Sequence, residues 1–74
     1  MTTLKIRDEY IKLGQALKLA GIAQTGADAR QMIVNGDVLV NGETELRRGK
    51  KLRDQDVVSV NDRTFVISSD LSCI

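Results

Sequence analysis

The sequence predicts an α+β domain: two short packed helices on a small, mainly antiparallel sheet with hairpins. Three observations carry that prediction. Apolar residues recur at helical spacing over two adjacent stretches and at strand spacing on either side of them. The pair Asn41-Gly42 follows Val38-Leu39-Val40, a strong hairpin signal because a type I′ turn needs φ > 0 at both central residues. The resulting order, one strand, two helices and then several strands, belongs to an α+β domain rather than to alternating βα units.

Thr2 to Arg7 alternates, with Leu4 and Ile6 apolar, and reads as a short edge strand that Asp8-Glu9 can end. Leu13, Ala16, Leu17 and Ala20 then fall on one helical face. Ile11 either joins that face or is the last extended residue before it. Gly21 suits the position after a helix end, and Ile22 and Ala23 are expected under the turn. Thr25 to Asp28 matches a capping box, with a hydroxyl at the N-cap and a carboxylate three residues on. The second helix turns Ala29, Met32 and Ile33 inward and stops at Asn35-Gly36. After the Asn41-Gly42 turn, Glu43 to Leu46 is the return strand. A basic loop follows and ends near Leu52. Val57 to Val60 and Thr64 to Ile67 are two further strands joined through Asn61-Asp62-Arg63, and residues 68–74 read as a flexible tail.

The 74 residues allow one domain, residues 1–74, which at this size buries only about 60% of its unfolded surface. Tyr10 and Phe65 are the only aromatic residues, so the core must be aliphatic. Net charge is +1, yet five of the eleven basic residues lie between Arg47 and Arg53, leaving six cations against ten carboxylates elsewhere. Such asymmetry is a local electrostatic footprint. Cys73 is the sole cysteine and His is absent, which removes an intrachain disulfide, a nucleophile with its base, and a metal-ligand cluster. No cofactor is implied. Without an apolar signal core or a run of about 18 apolar residues, a cytoplasmic, monomeric, non-membrane protein is expected.

The stretch from Lys12 to Glu43 resembles the RNA-binding domain first known from ribosomal protein S-four, the αL motif. The resemblance rests on Lys12-Leu13 opening the first helix, Gly21-Ile22 closing it, Thr25 starting the second, and Gly36-Asp37-Val38-Leu39-Val40-Asn41-Gly42 as strand and turn. Asp54 to Val60 is similar to the family's closing strand, which Gly-Asp usually introduces. The match covers about residues 11–60, and the chain looks like the small stand-alone bacterial members, the YbcJ-like proteins. Two departures stand out. Gly14 replaces a frequently acidic residue, and Gly26 replaces an Arg that commonly meets RNA. The resemblance implies RNA as the partner, ribosomal RNA or a ribosome-associated particle by analogy, and it places Lys12 beside the start of the second helix.

The residues themselves support that chemistry. A helix start presents unpaired N–H groups at a positive dipole end, so Thr25 both caps the helix and marks a phosphate-receptive place. Gly26 leaves room for a sugar-phosphate backbone, and Arg30 with Lys12 could clamp a phosphate there. Arg47, Arg48, Lys50, Lys51 and Arg53 suit a phosphate backbone because counterion release needs no fixed side-chain pose. The bland alternatives are helix capping, solvated faces and neutralisation by Glu43, Glu45, Asp54 and Asp56. Lys18 reads as an ordinary solvated residue. Tyr10 could stack on a base and Phe65 reads as core, so with no aromatic platform the expected target is structured RNA, recognised by shape and phosphate placement. The expected function is therefore non-enzymatic binding of structured RNA. The rival is a protein-interaction adaptor or a regulatory module of an RNA-modifying or ribosome-associated complex. A sulfur-carrying ubiquitin-like protein would need a terminal Gly-Gly where this chain has Cys73-Ile74.

Overall fold

Apolar residues from the strands and from both helical stretches converge on one aliphatic core. The computed structural model describes residues 2–69. In chain order the elements are β1 (Thr2–Ile6), β2 (Ile11–Lys12), α1 (Leu13–Leu19), α2 (Gly26–Val34), β3 (Val38–Val40), β4 (Glu43–Thr44), β5 (Lys51–Leu52), β6 (Val57–Val60) and β7 (Arg63–Ser69). The main sheet runs β1-β7-β6-β3-β4, and β2 pairs with β5 in a separate ribbon. β1 and β7 are parallel and the other pairings antiparallel, so the sheet is mixed and mainly antiparallel, as expected.

Period-two alternation sends Val38 and Val40 of β3, Val58 and Val60 of β6, and Phe65 and Ile67 of β7 inward. Leu13, Ala16 and Leu17 of α1 and Ala29 and Ile33 of α2 meet them in the same cluster. Each large side chain buried this way contributes roughly 1.5–3 kcal/mol relative to exposure, which a chain this short needs.

Both helices end alike. Gly21 (φ 76°) follows α1 and Gly36 (φ 82°) follows α2, left-handed positions that favour glycine. At each end two N–H groups turn back onto orphan carbonyls: Gly21 to Lys18 and Ile22 to Leu17, then Gly36 to Ile33 and Asp37 to Met32. Asn41 (φ 53°) and Gly42 (φ 86°) make the hairpin turn. Asn41 does more than turn the chain. Its N–H donates to the Val57 carbonyl at 2.7 Å, its Oδ1 accepts the Val57 N–H at 2.9 Å, and its Nδ2 donates to Asp56 at 3.1 Å. One asparagine thus latches the β3–β4 hairpin onto β6. Gln55 is also left-handed, at φ 75°, where the resembled pattern has glycine.

Several expectations are corrected. The return strand spans only Glu43–Thr44; the Glu45 N–H adds one more bond to the Val38 carbonyl at 3.0 Å, and the Glu45 carboxylate then accepts the Arg47 N–H at 3.1 Å as the chain leaves the sheet. Of the two readings open for Ile11, the extended one holds: it lies in β2, paired with Leu52. Ser68 and Ser69 are not tail: they continue β7, opposite Lys5 and Ile6 of β1, and Ser69 donates to Asp54 and to the Asp8 carbonyl, each at 2.8 Å. Residues 70–74, including Cys73, lie outside the described residues. The basic run is not a free loop either. Leu52 is fully buried, and the Arg48 and Lys50 carbonyls accept the Gly14 and Leu13 N–H groups at 3.1 and 2.9 Å. These are first-turn N–H groups that a helix leaves unpaired. Lys12, the N-cap residue, makes no side-chain cap, so the backbone of the basic run caps α1.

Candidate nucleic-acid interface

That docking creates a groove. Lys12 at the N-cap and Gln15 and Lys18 of α1, three residues apart, form an exposed stripe along one wall. Gly26 at the start of α2 stands on another, and Arg48-Gly49 closes a third; with Gly14 they line a concavity of about 280 Å³. The lining holds three cations and no carboxylate.

Gly14 explains how Arg48 reaches this place. A Cβ on Gly14 would stand 2.8 Å from Arg48 Cγ and 3.3 Å from its Cδ, closer than carbon atoms approach without displacement. The aliphatic stem of Arg48 therefore lies across the helix backbone in space that only glycine leaves open, and the guanidinium is carried to the groove.

At the start of α2, Thr25 is the N-cap and its Oγ1 accepts the Asp28 N–H at 3.1 Å. The hydroxyl half of the capping box is thus made, and the N–H groups of Gly26 and Ala27 remain first-turn groups. Gly26 faces open space: nothing lies within 4 Å of where its Cβ would be. The backbone there is accessible, as the sequence suggested, and the packing does not require glycine.

The nine residues expected at the interface separate. Lys12, Gly26 and Arg48 meet in the groove, and Thr25 borders it as the cap. Arg30 is exposed on α2, outside the lining. Arg47 is turned to Glu45, with Nε 3.1 Å from the carboxylate. That hydrogen bond holds the Glu45 carboxyl below the usual carboxylate range, against a smaller opposing effect of desolvation, and it raises the Arg47 guanidinium correspondingly. Lys50 is half-buried and supplies a capping carbonyl. Lys51 and Arg53 lie over the Tyr10 ring, with Nζ 4.8 Å and the guanidinium carbon 5.7 Å from its centroid, distances suited to cation–π attraction. Asp54 and Asp56 are spent on structure: Asp56 accepts the Arg53 N–H at 2.8 Å and Asp54 the Ser69 N–H.

Gln15 and Lys18 join the groove without having been singled out, and their signal is periodicity: positions 12, 15 and 18 share a helical face, opposite buried Leu13, Ala16 and Leu17. Gly14 enters only through its contact with Arg48. Among the described residues no three His, Cys, Asp or Glu side chains group as metal ligands, and no helix is long and apolar enough to cross a membrane.

Comparison with known proteins agrees with this architecture. A model of the S4 domain matches residues 4–68. The chain is 46% identical over 57 residues to the probable ribosome maturation protein RlbA of Bacillus subtilis, covering 77% of this chain and 80% of that protein. It is 42% identical over 45 residues to the small ribosomal subunit protein uS4 of Streptomyces coelicolor, 61% of this chain but only 22% of that longer one. Among solved structures it is similar to YbcJ from E. coli, with a TM-score of 0.72 and 29% identity over 92% of this chain and 87% of that one. The solution structure of YbcJ revealed an αL motif involved in RNA-binding. The chain therefore belongs to the S4-domain family and has the αL fold.

Proposed function

We propose that this S4-domain protein binds structured RNA without catalysing a reaction on it, and that ribosomal RNA is its target. The observation that carries the reading is the groove: three cations from two separate segments, Lys12, Lys18 and Arg48, around an open helix start, with no carboxylate in the lining. Such a surface suits a phosphate backbone held by charge and shape. The ribosomal target is supported by the relatives, one a probable ribosome maturation protein and the other a ribosomal subunit protein. Thr25 would position the amides of α2, and Arg30 would meet the backbone as it leaves the groove. Lys50, Lys51 and Arg53 would add a general positive field from the side.

Titrating a labelled RNA stem-loop against the protein at several salt concentrations tests this. In the triple variant Lys12→Ala, Lys18→Ala, Arg48→Ala the slope of log affinity against log salt should shrink by about 2–3, one step of roughly 0.7–0.9 per lost phosphate contact. Gly26→Arg, which the open space at that position accommodates, should steepen the slope by one such step. An unchanged slope in the triple variant removes the groove from the reading. Absence of salt-dependent RNA binding, with a protein partner retained after RNase treatment, would favour the adaptor instead.

A further inference from the structure

A second concavity, of about 410 Å³, lies on the other side of the Lys12–Gln15–Lys18 stripe, between α1 and the β1–β2 connection. Gln15 and Lys18 line both hollows, so the two share a ridge. Its character differs from the groove's. Ile6 and Ile11, both buried, belong to its lining, and Tyr10 and Leu19 form apolar walls. With Phe65 only 1% exposed, Tyr10 is the one aromatic ring that solvent reaches. Leu19 is 65% exposed, an apolar side chain that this fold leaves uncovered. Lys5 and Arg7 stand with Lys18 around the hollow, against a single carboxylate, Asp8.

We infer that this hollow receives one unstacked base of the RNA whose backbone occupies the groove, an inference that rests on the RNA-binding reading above. The ring and the leucine in this lining offer apolar surface to a base, and stacking on an aromatic side chain is tolerant of base identity. Gln15, on the ridge, has an amide donor and acceptor for a base edge. The flanking cations fit the phosphates on either side of a base that has left the stack. Lys51 and Arg53 lie over the Tyr10 ring from exposed positions, where a cation–π contact is weak, so a base takes their place on the ring face and leaves both cations free to meet its phosphates. One ring makes no platform for a run of single-stranded bases. The recognised feature is a helix interrupted by one unpaired nucleotide.

Two RNA hairpins with the same stem test it, one fully paired and one carrying a single bulged adenosine. The wild-type protein should bind the bulged hairpin about 5- to 150-fold more tightly, the range of one base–aromatic stack. Tyr10→Ala should abolish that preference while leaving the fully paired hairpin's affinity and salt slope unchanged, and Tyr10→Phe should keep it. Leu19→Ser, at an exposed position that folding does not depend on, should reduce the preference and serves if Tyr10→Ala unfolds. Equal binding of both hairpins with a normal salt slope would overturn the base site and leave the groove standing. Lack of salt-dependent binding to either hairpin would overturn both.

Discussion

The basic run divides at Lys50 into two regions whose backbones are bonded to different things. In Arg47-Arg48-Gly49 the chain turns: one arginine folds back on Glu45 and the next lies over Gly14. In Lys51-Leu52-Arg53 it forms the strand β5 and leaves it at Arg53, with Leu52 buried opposite Ile11 and both cations beside Tyr10. Composition is nearly the same in the two regions, and their roles are not. What a cation contributes is decided by what its backbone is tied to and by whether a carboxylate or a ring already faces it. Only Arg48 is delivered to a place where three cations converge without an acid.

The largest effect on this comparison should come from Leu52→Ala. Removing a fully buried leucine costs about 2–5 kcal/mol, a large part of the roughly 4–11 kcal/mol available to a domain of this size. It loosens the β2–β5 ribbon on which both regions hang. Urea denaturation should show a marked fall in midpoint, with RNA affinity lost alongside. A midpoint near wild type would mean the ribbon is not what holds the run in place.

Next in size is a contrast between the regions themselves. Gly14→Ala should displace Arg48 from α1 and weaken RNA binding several-fold, even though alanine favours a helix over glycine by about 1 kcal/mol. The double variant Lys51→Ala, Arg53→Ala should lower affinity for a fully paired stem less than Arg48→Ala does, despite removing twice the charge. Equal or greater loss in the double variant would show that charge count outweighs placement.

The smallest effect is expected from Glu45→Gln, which frees Arg47. The folded-state pKa of Glu45 is depressed by Arg47, so its contribution to stability is present above the unfolded-state value and is lost as pH falls through the folded one. The variant should flatten stability against pH in the acid range, measured by thermal melts below about pH 5. It should also steepen the salt dependence of RNA binding slightly. Because the pair is exposed, both changes should be small. A large change in either would indicate a network around Arg47 beyond this pair.

How much was legible beforehand follows the range of the interactions. Both helix ends were readable because Gly21 and Gly36 act on carbonyls a few residues away, and Thr25 caps an amide three residues on. The Asn41-Gly42 turn is set by φ alone. Phe65 could be placed in the core because alternation within β7 is local. By contrast, Ser68 and Ser69 pair with Lys5 and Ile6, more than sixty residues earlier, and nothing in their own surroundings announces it. Lys18 looked like any solvated lysine until Arg48 and Gly26 were brought opposite it.

By itself, then, the sequence determined the α+β class, the two glycine-terminated helices, the hairpin and the aliphatic core, since each follows from the backbone preferences and periodicity of adjacent residues. Tertiary structure alone decided which cations share a groove. That choice depends on hydrogen bonds from Leu13 and Gly14 to carbonyls more than thirty residues away, and on the absence of one Cβ at Gly14 that gives the stem of Arg48 its place. Contacts between distant segments fix distances that no local pattern encodes, and charge acts through distance.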